Sequence, residues 1–294
     1  MATLRELKGR IGSVASSEKI TGAMKMISSA KMHKAELALK RLQPFRSQIE
    51  TVIGNLLSTD AEFSSPLLEA REVHHATIVI FGSDSGLCGA YNVNIFKAFR
   101  HRIHKLREKY GEGLKITVFA AGEKVSRMVA RLDEPSVKLE KRDGVDSQTG
   151  ASGIKDFLDY LSGLYVSGGT DMVELHYMQY HSAGRQRFEA TQLIPVVSET
   201  FAAAGEGKAT NRPCIFEPDA ESIFHTVLPM YLTAVLQDVF TENRASEQAA
   251  RVMAMQSAND NASKLLDELQ LDYNKLRQQA ITSELLDILG GQAR

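Results

Sequence analysis

The sequence predicts an α/β protein in which long helices at the two ends of the chain form an antiparallel two-helix coiled coil beside a central Rossmann-like α/β domain. Apolar residues follow a helical spacing in both terminal regions and recur there every seven residues, as in a coiled-coil seam. The middle of the chain instead alternates short apolar runs ended by glycine with helical stretches. We therefore predict three regions, with the bounds 1–57, 74–200 and 217–290.

The first region is predicted to be one long helix, because residues 3–57 contain no proline except Pro44. Its first turns place apolar residues at a three-then-four spacing, which gives one helical stripe: Leu4, Leu7, Ile11 and Val14. Beyond them, four apolar residues recur at intervals of seven: Ala35, Leu42, Ile49 and Leu56. Such a seam requires a partner helix.

The central region contains two short apolar runs, 75–82 and 114–122, that end in glycine as buried strands do. Helical stretches are predicted at 90–110, 123–132 and 153–168, and a further strand at 171–181. Residues 185–196 follow a turn and are compatible with an additional strand, which would form an antiparallel hairpin at the edge of the sheet. This order of elements predicts a small α/β domain.

The second helical arm is predicted to begin near Glu217, with Pro218 at its first helical position, and to run to about Leu289. At 1.5 Å per residue, about 70 residues would reach roughly 105 Å, far more than the width of a globular domain. Its seam residues alternate at heptad positions: Ala262, Leu266, Leu269, Tyr273, Leu276 and Ala280. The alanine- and glycine-rich stretch 201–214 before this arm has no period and is predicted to be a loop.

Composition excludes several classes of function. The chain carries 35 basic and 36 acidic residues, so its net charge of −1 gives no electrostatic reason to expect nucleic acid as a partner. Its two cysteines, Cys88 and Cys214, suggest neither a disulfide framework nor a zinc site. We also find no run close to the roughly 20 apolar residues of a membrane-spanning helix, so other subunits would have to hold the protein at a membrane.

The glycine-rich segment 82–92 is the most tempting candidate for an active site, because such a loop between a strand and a helix can bind phosphate. However, Gly89 is followed by Ala90 and Tyr91, not by the Lys-Ser/Thr of a phosphate-binding loop. Asp84 stands where a nucleophile elbow would have serine. We interpret the segment as a structural turn, and predict no catalytic residue, metal ligand or cofactor.

Three segments carry a specific resemblance: residues 10–35 (RIGSVASSEKITGAMKMISSAKMHKA), residues 83–92 (SDSGLCGAYN) and residues 242–291. They resemble the gamma subunits of F-type ATP synthases; the first segment is similar to the N-terminal helix of that family and the second to its SDRGLCG loop. Residues 242–291 resemble its C-terminal helix and contain the signature ITSELLDILGG. The resemblance implies a central rotor shaft that couples proton flow to the conformational cycling of catalytic beta subunits, with no catalysis on the chain itself.

By resemblance, seven residues are expected to contact the beta subunits: Met24, Lys25, Arg251, Arg277, Gln278, Thr282 and Glu284. Three further methionines are expected to fill the coil: Met26, Met253 and Met255. Ser85 stands where the family commonly has arginine, so a salt bridge of that arginine is not expected here. Gly291 replaces the usual alanine at the end of the signature.

The resemblance also implies the partners and the location. Three alpha and three beta subunits would surround the shaft, the epsilon subunit and the membrane c-ring would contact its base, and delta, a and b would complete the complex. The chain would then be a peripheral protein on the cytoplasmic face of the bacterial inner membrane. Two alternatives stay open: an α/β enzyme with helical oligomerisation arms, which ATP binding would support, and a coiled-coil adaptor, which self-association would support.

Overall fold

A computed structural model describes residues 3–57, 65–197, 201, 217 and 219–291. The elements follow one another as α1 (Leu4–Leu57), β1 (His75–Phe81), α2 (Tyr91–Tyr110), β2 (Lys115–Ala121), α3 (Glu123–Val129), β3 (Val137–Glu140), α4 (Ala151–Val166), β4 (Met172–Ser182), β5 (Arg185–Ile194) and α5 (Ala220–Gly291). The predicted fold class is confirmed. The predicted loop at 201–214 and the predicted role of Pro218 lie outside the described residues, apart from Phe201.

The two long helices begin at side-chain caps. Thr3 and Glu6 form a reciprocal capping box at the start of α1, with the Thr3 amide 2.8 Å from a Glu6 carboxylate oxygen. At the start of α5, the Asp219 carboxylate accepts a hydrogen bond of 2.8 Å from the Ser222 amide. The predicted start near Glu217 is therefore a few residues too early, because Asp219 supplies the cap.

The sheet has the strand order β3-β2-β1-β4-β5. The first four strands pair in parallel, and β5 is antiparallel to β4, so the predicted edge hairpin is confirmed. The sequence analysis missed β3, because four residues, three half-buried and one exposed, show no clear period. At the carboxyl end of β2, Gly122 must be glycine: its φ is +138° and a Cβ there would lie 2.7 Å from the carbonyl carbon of Gly82, at the end of β1.

Helices α1 and α5 pack together as an antiparallel pair. Arg46 of α1 contacts Asp238 of α5 at 3.3 Å, whereas the Asn259 amide, much later on α5, donates to the carbonyl of Glu18 at 2.8 Å. The predicted seam residues of α5 from Ala262 to Ala280 are all half-buried or buried, and Leu269 is 4% exposed. The coiled coil of the sequence prediction is confirmed.

Two apolar cores hold the sheet. One face packs on α4 and the base of the coil, where Ile53, Leu56 and Phe240 are completely buried. The other face packs on α2 and α3 through residues such as Ile78 and Phe99. The coil thus grows directly out of the domain core, so that coil and sheet share buried apolar area.

The expectation that no stretch comes close to a membrane-spanning helix in length and apolar character is wrong. Helix α5 contains an 18-residue stretch with a mean hydropathy of 1.3, which is long and apolar enough to cross a membrane by length and composition. In the structure 56% of that stretch is buried inside the chain. Its apolar character is that of a core helix, because it packs on α1, α4 and β4.

Candidate functional site: the exposed surface of the coil

The carboxyl end of α5 extends past the beginning of α1. From the two contacts that fix the pairing, and with about 1.5 Å of rise per residue in both helices, Leu4 lies level with about residues 273–280 of α5. Residues 281–286 are accordingly all exposed. This overhang carries large apolar side chains that no part of the described chain covers: Ile281, Leu285, Leu286 and Ile288.

Four of the predicted contact residues lie on this last part of α5. Arg277, Gln278, Thr282 and Glu284 are exposed, because the seam positions Tyr273, Leu276 and Ala280 take the face toward α1. The Thr282 hydroxyl donates to the backbone carbonyl of Gln278 at 2.9 Å, so this hydrogen bond does not involve the side-chain amide of Gln278. The structure therefore brings a guanidinium, an amide and a carboxylate together on one exposed helical segment.

Met24 and Lys25 lie on α1 and are both half-buried. The residues around them include three exposed apolar side chains that the sequence analysis did not single out as surface: Ile20, Met26 and Ile27. The interpretation that Met26 and Met253 fill the coil is wrong, since they are 68% and 49% exposed; Met255, at 5%, does fill it. Because these helices carry apolar residues on more than one face, the apolar spacing in the sequence does not distinguish buried methionines from exposed ones.

Arg251 does not match the expectation of a side chain free to meet a partner. It is 6% exposed, and its guanidinium pairs with Glu247 at 2.7 Å and donates to the Ser85 hydroxyl at 3.0 Å. Burial raises the pKa of the Glu247 carboxyl, and the Arg251 guanidinium opposes that rise. Ser85, which replaces the arginine of the resembling family, thus serves as a partner for Arg251 inside the chain.

The loop that follows β1 is fastened to the coil by α5. The Asn243 amide donates to the Gly82 carbonyl at 3.0 Å, and the Tyr91 hydroxyl donates to the Asn243 side chain at 2.7 Å. Cys88, within this loop, is buried. These hydrogen bonds hold the loop in place against α5, in agreement with the interpretation of segment 82–92 as a structural turn.

Leu87, at the tip of that loop, is exposed and has a φ of +66°, which is unusual for a bulky residue. Within the described ranges, no group of three or more histidine, cysteine, aspartate or glutamate side chains is arranged to hold a metal ion.

Comparisons with known proteins agree on one family. The family model described as ATP synthase matches residues 3–293. The ATP synthase gamma chain of Bacteroides thetaiotaomicron is 39% identical, with 99% of each chain covered. That of Cupriavidus pinatubonensis is 35% identical, with 100% of this chain and 99% of the relative covered.

Solved structures share the fold. A chain of the Euglena gracilis mitochondrial ATP synthase (OSCP/F1/c-ring, rotational state 3) has a TM-score of 0.66 at 19% identity, covering 99% of this chain and 93% of that one. A chain of the Tetrahymena thermophila mitochondrial ATP synthase central stalk and c-ring has a TM-score of 0.56 at 21% identity, covering 81% and 99%.

An antiparallel coil that extends from the core of an α/β domain, with an uncovered tip, defines a shaft-like protein. The match over residues 3–293, together with identities above a third over whole chains, makes the family plain: the chain belongs to the ATP synthase gamma chains. It is thus a subunit of a membrane-bound complex.

Proposed function

We propose that this chain is the central rotor shaft of an F-type ATP synthase, which couples proton flow through the membrane sector to conformational cycling of the catalytic beta subunits. The shaft itself is not catalytic, and ATP is made on the beta subunits. The observation that carries this proposal is the uncovered end of α5, where polar and apolar side chains extend beyond the partner helix.

The physical basis of the coupling is asymmetry. A two-helix shaft presents a different face to each of three identical beta subunits, so its contacts favour a different conformation in each of them. Rotation then moves each beta subunit through all of these states. A paired coil that shares its core with the sheet resists twisting better than one solvated helix would.

The contacts to the beta subunits are proposed for the exposed and half-exposed members of the predicted set: Met24, Lys25, Arg277, Gln278, Thr282 and Glu284. The guanidinium of Arg277 is suited to bidentate binding of a carboxylate. Because an ion pair at a surface contributes about 1 kcal/mol or less, Lys25 would act mainly in steering. For Arg251 we propose an indirect role, in which it holds the loop around Ser85 against the coil.

The remaining partners follow from the family. Three alpha and three beta subunits would surround the coil, and the epsilon subunit and c-ring would contact the α/β domain and the lower coil, with delta, a and b in the whole complex. The bacterial relatives support a peripheral position on the cytoplasmic face of the inner membrane. The family match over nearly the whole chain favours the shaft over the enzyme and adaptor alternatives.

The test is the double variant Arg277→Ala with Gln278→Ala in the complete membrane-bound complex. We expect the ratio of ATP-driven proton pumping to ATP hydrolysis to fall several-fold, because contacts that transmit torque are lost while the seam of the coil is untouched. Pumping is followed by quenching of a pH-sensitive dye in vesicles, and hydrolysis by phosphate release.

The matched control is Asp267→Ala with Glu268→Ala, an adjacent exposed pair on the same helix that is not in the proposed contact set. It should leave the ratio unchanged. A tip variant that pumps as well per ATP as the wild type, in a complex with normal subunit content, would contradict the proposed contacts. Failure of the chain to co-purify with alpha and beta subunits would contradict the shaft itself.

A further inference from the structure

Glu242 lies at the joint where the coil meets the antiparallel edge of the sheet. It stands on α5 and helps to line an open cleft of about 890 Å³, together with residues of α1 and of the β4–β5 hairpin. One of its carboxylate oxygens, Oε2, is buried and has no hydrogen-bond partner in the described part of the chain. A buried carboxylate oxygen without a donor is costly when the group carries its charge.

The positive charge near Glu242 does not offset the negative charge of its carboxylate. Arg46 of α1 is the cation that acts on this carboxyl, but it is already paired with Glu50 at 2.8 Å and with Asp238 at 3.3 Å. Asp238 precedes Glu242 by one turn of α5, so the two acidic groups compete for one guanidinium. The Arg46 guanidinium is therefore shared among three carboxylates.

The sheet adds more acidic character from the other side. Glu189 of β5 raises the pKa of Glu242 further, and the Tyr177 phenol of β4 is close enough for Glu242 to raise its pKa in turn. The other titratable groups that line the cleft are Glu36, Lys40, Tyr180 and His181. Of these, Tyr180 donates its hydroxyl hydrogen to Glu36, which ties the hairpin to α1.

Few contacts hold the outer half of the hairpin to the coil. Ser246 of α5 donates to the Met178 carbonyl at 2.8 Å, and the Tyr180–Glu36 hydrogen bond lies farther out. Beyond Met178, the strand becomes half-buried and then exposed toward Ser182. A segment with few buried contacts opens at low cost, so a single charge at its base can decide its position.

We propose that Glu242 is a proton-operated latch between the coil and the β4–β5 hairpin. With its carboxyl neutral, the hairpin is closed against α1 and α5; when the proton leaves, the uncompensated charge draws water into the joint and loosens the hairpin. The latch goes beyond the shaft function, because it would make the stiffness of the base of the coil depend on pH.

The direction of the effect follows from linkage. Burial above all, and then repulsion by Asp238, raises the pKa of Glu242 from its ordinary 4.5 to about 7 in the closed joint. A group whose pKa is raised in the closed state favours closure fully below its ordinary pKa, and this advantage is lost as pH rises to the closed-state value. The open population should therefore grow by up to about tenfold per pH unit between about 4.5 and 7, and then level off.

The experiment is hydrogen–deuterium exchange of the full chain at pH 5, 6, 7 and 8, expressed as protection factors corrected for intrinsic exchange. We expect peptides that cover Met178 to Arg187 to lose protection by at least tenfold between pH 5 and 7, relative to peptides of β1 and β2. Glu242→Gln, which is neutral at every pH, should abolish that pH dependence. The control Glu268→Gln, an exposed site later on α5, should retain it.

A hairpin whose protection has the same pH dependence in the wild type and in Glu242→Gln would overturn the latch, as would a wild type with no pH dependence in the hairpin. If Glu242→Gln does not fold, Asp238→Asn decides the question. It keeps Glu242 but removes the repulsion, so the loss of protection should begin at the same pH and become smaller. An unchanged loss in that variant would also overturn the latch.

Discussion

Glu174 of β4 shows how single residues carry charge into the core of this protein. It is almost completely buried and accepts a hydrogen bond of 2.8 Å from His176, which lies between the rings of Phe99 and Phe188. Arg102 reaches it from α2, with its Nε 3.1 Å from the carboxylate. Burial by itself raises the pKa of Glu174, but the hydrogen bonds from His176 and Arg102 outweigh it and lower the pKa to about 2.

The Glu174 carboxylate should make the free energy of unfolding depend on pH in the acidic range. Because the pKa of Glu174 is depressed in the folded chain, its contribution is complete above about pH 4.5 and is lost as pH falls toward 2. We expect a loss on the order of 3 kcal/mol across that window. Glu174→Gln should lower the free energy of unfolding at pH 7 and flatten its dependence between pH 4.5 and 3, as measured by urea denaturation.

The exposed Glu268→Gln serves as the control, and should leave both the stability and its acid dependence close to those of the wild type. Equal acid dependence in Glu174→Gln and the wild type would show that other carboxylates, and not this buried one, govern acid unfolding.

At the scale of elements, the seam of the coil is mainly apolar but includes polar residues, among them the buried Ser28 of α1. Asn259 of α5 occupies a seam position, and its side-chain amide donates to the Glu18 carbonyl of α1 at 2.8 Å. A polar residue at such a position costs some stability but fixes how two helices align. The heptad pattern in the sequence located the seam, but it could not show that Asn259 had a backbone partner on the other helix.

Asn259→Ala should therefore destabilise the coil through the lost hydrogen bond, by about 1 kcal/mol. Alanine also favours helix more than asparagine does, by about 0.6 kcal/mol, and this gain must be removed from the comparison. The matched variant is Asn261→Ala, at an exposed position on the same helix, which has the gain without the loss. Thermal denaturation by circular dichroism should place Asn259→Ala below Asn261→Ala; the reverse order would contradict a role for Asn259 in the seam.

At the scale of the whole molecule, coil and sheet are joined by one apolar core. Ile53 near the end of α1 is completely buried, in the same cluster as Phe157 of α4, Leu175 of β4 and Leu236 of α5. Such a residue belongs to both parts of the molecule. Torque on the coil can therefore pass into the α/β domain through close packing, without a hinge of loosely packed residues between them.

Ile53→Ala should lower the free energy of unfolding by about 2–5 kcal/mol, because it leaves a cavity at this junction. Signals from the helices and from the tertiary core should still change together during urea denaturation. The neighbour Val52 is 38% exposed, and Val52→Ala should cost much less. Separate transitions for coil and domain in the wild type would contradict a shared core.

The sequence by itself determined the helical arms, their antiparallel seam, four of the five strands and the absence of a phosphate-binding motif in the loop after β1. These features are local, since a period of seven residues or a short apolar run before glycine reports on its own segment. Only the tertiary structure decided that Arg251 is held inward by Glu247 and Ser85, that Met26 faces solvent, and that β3 completes the sheet. Each of these outcomes depends on which segments pack against one another. The burial of a side chain is set by neighbours that are distant in sequence, so a local pattern does not reveal it.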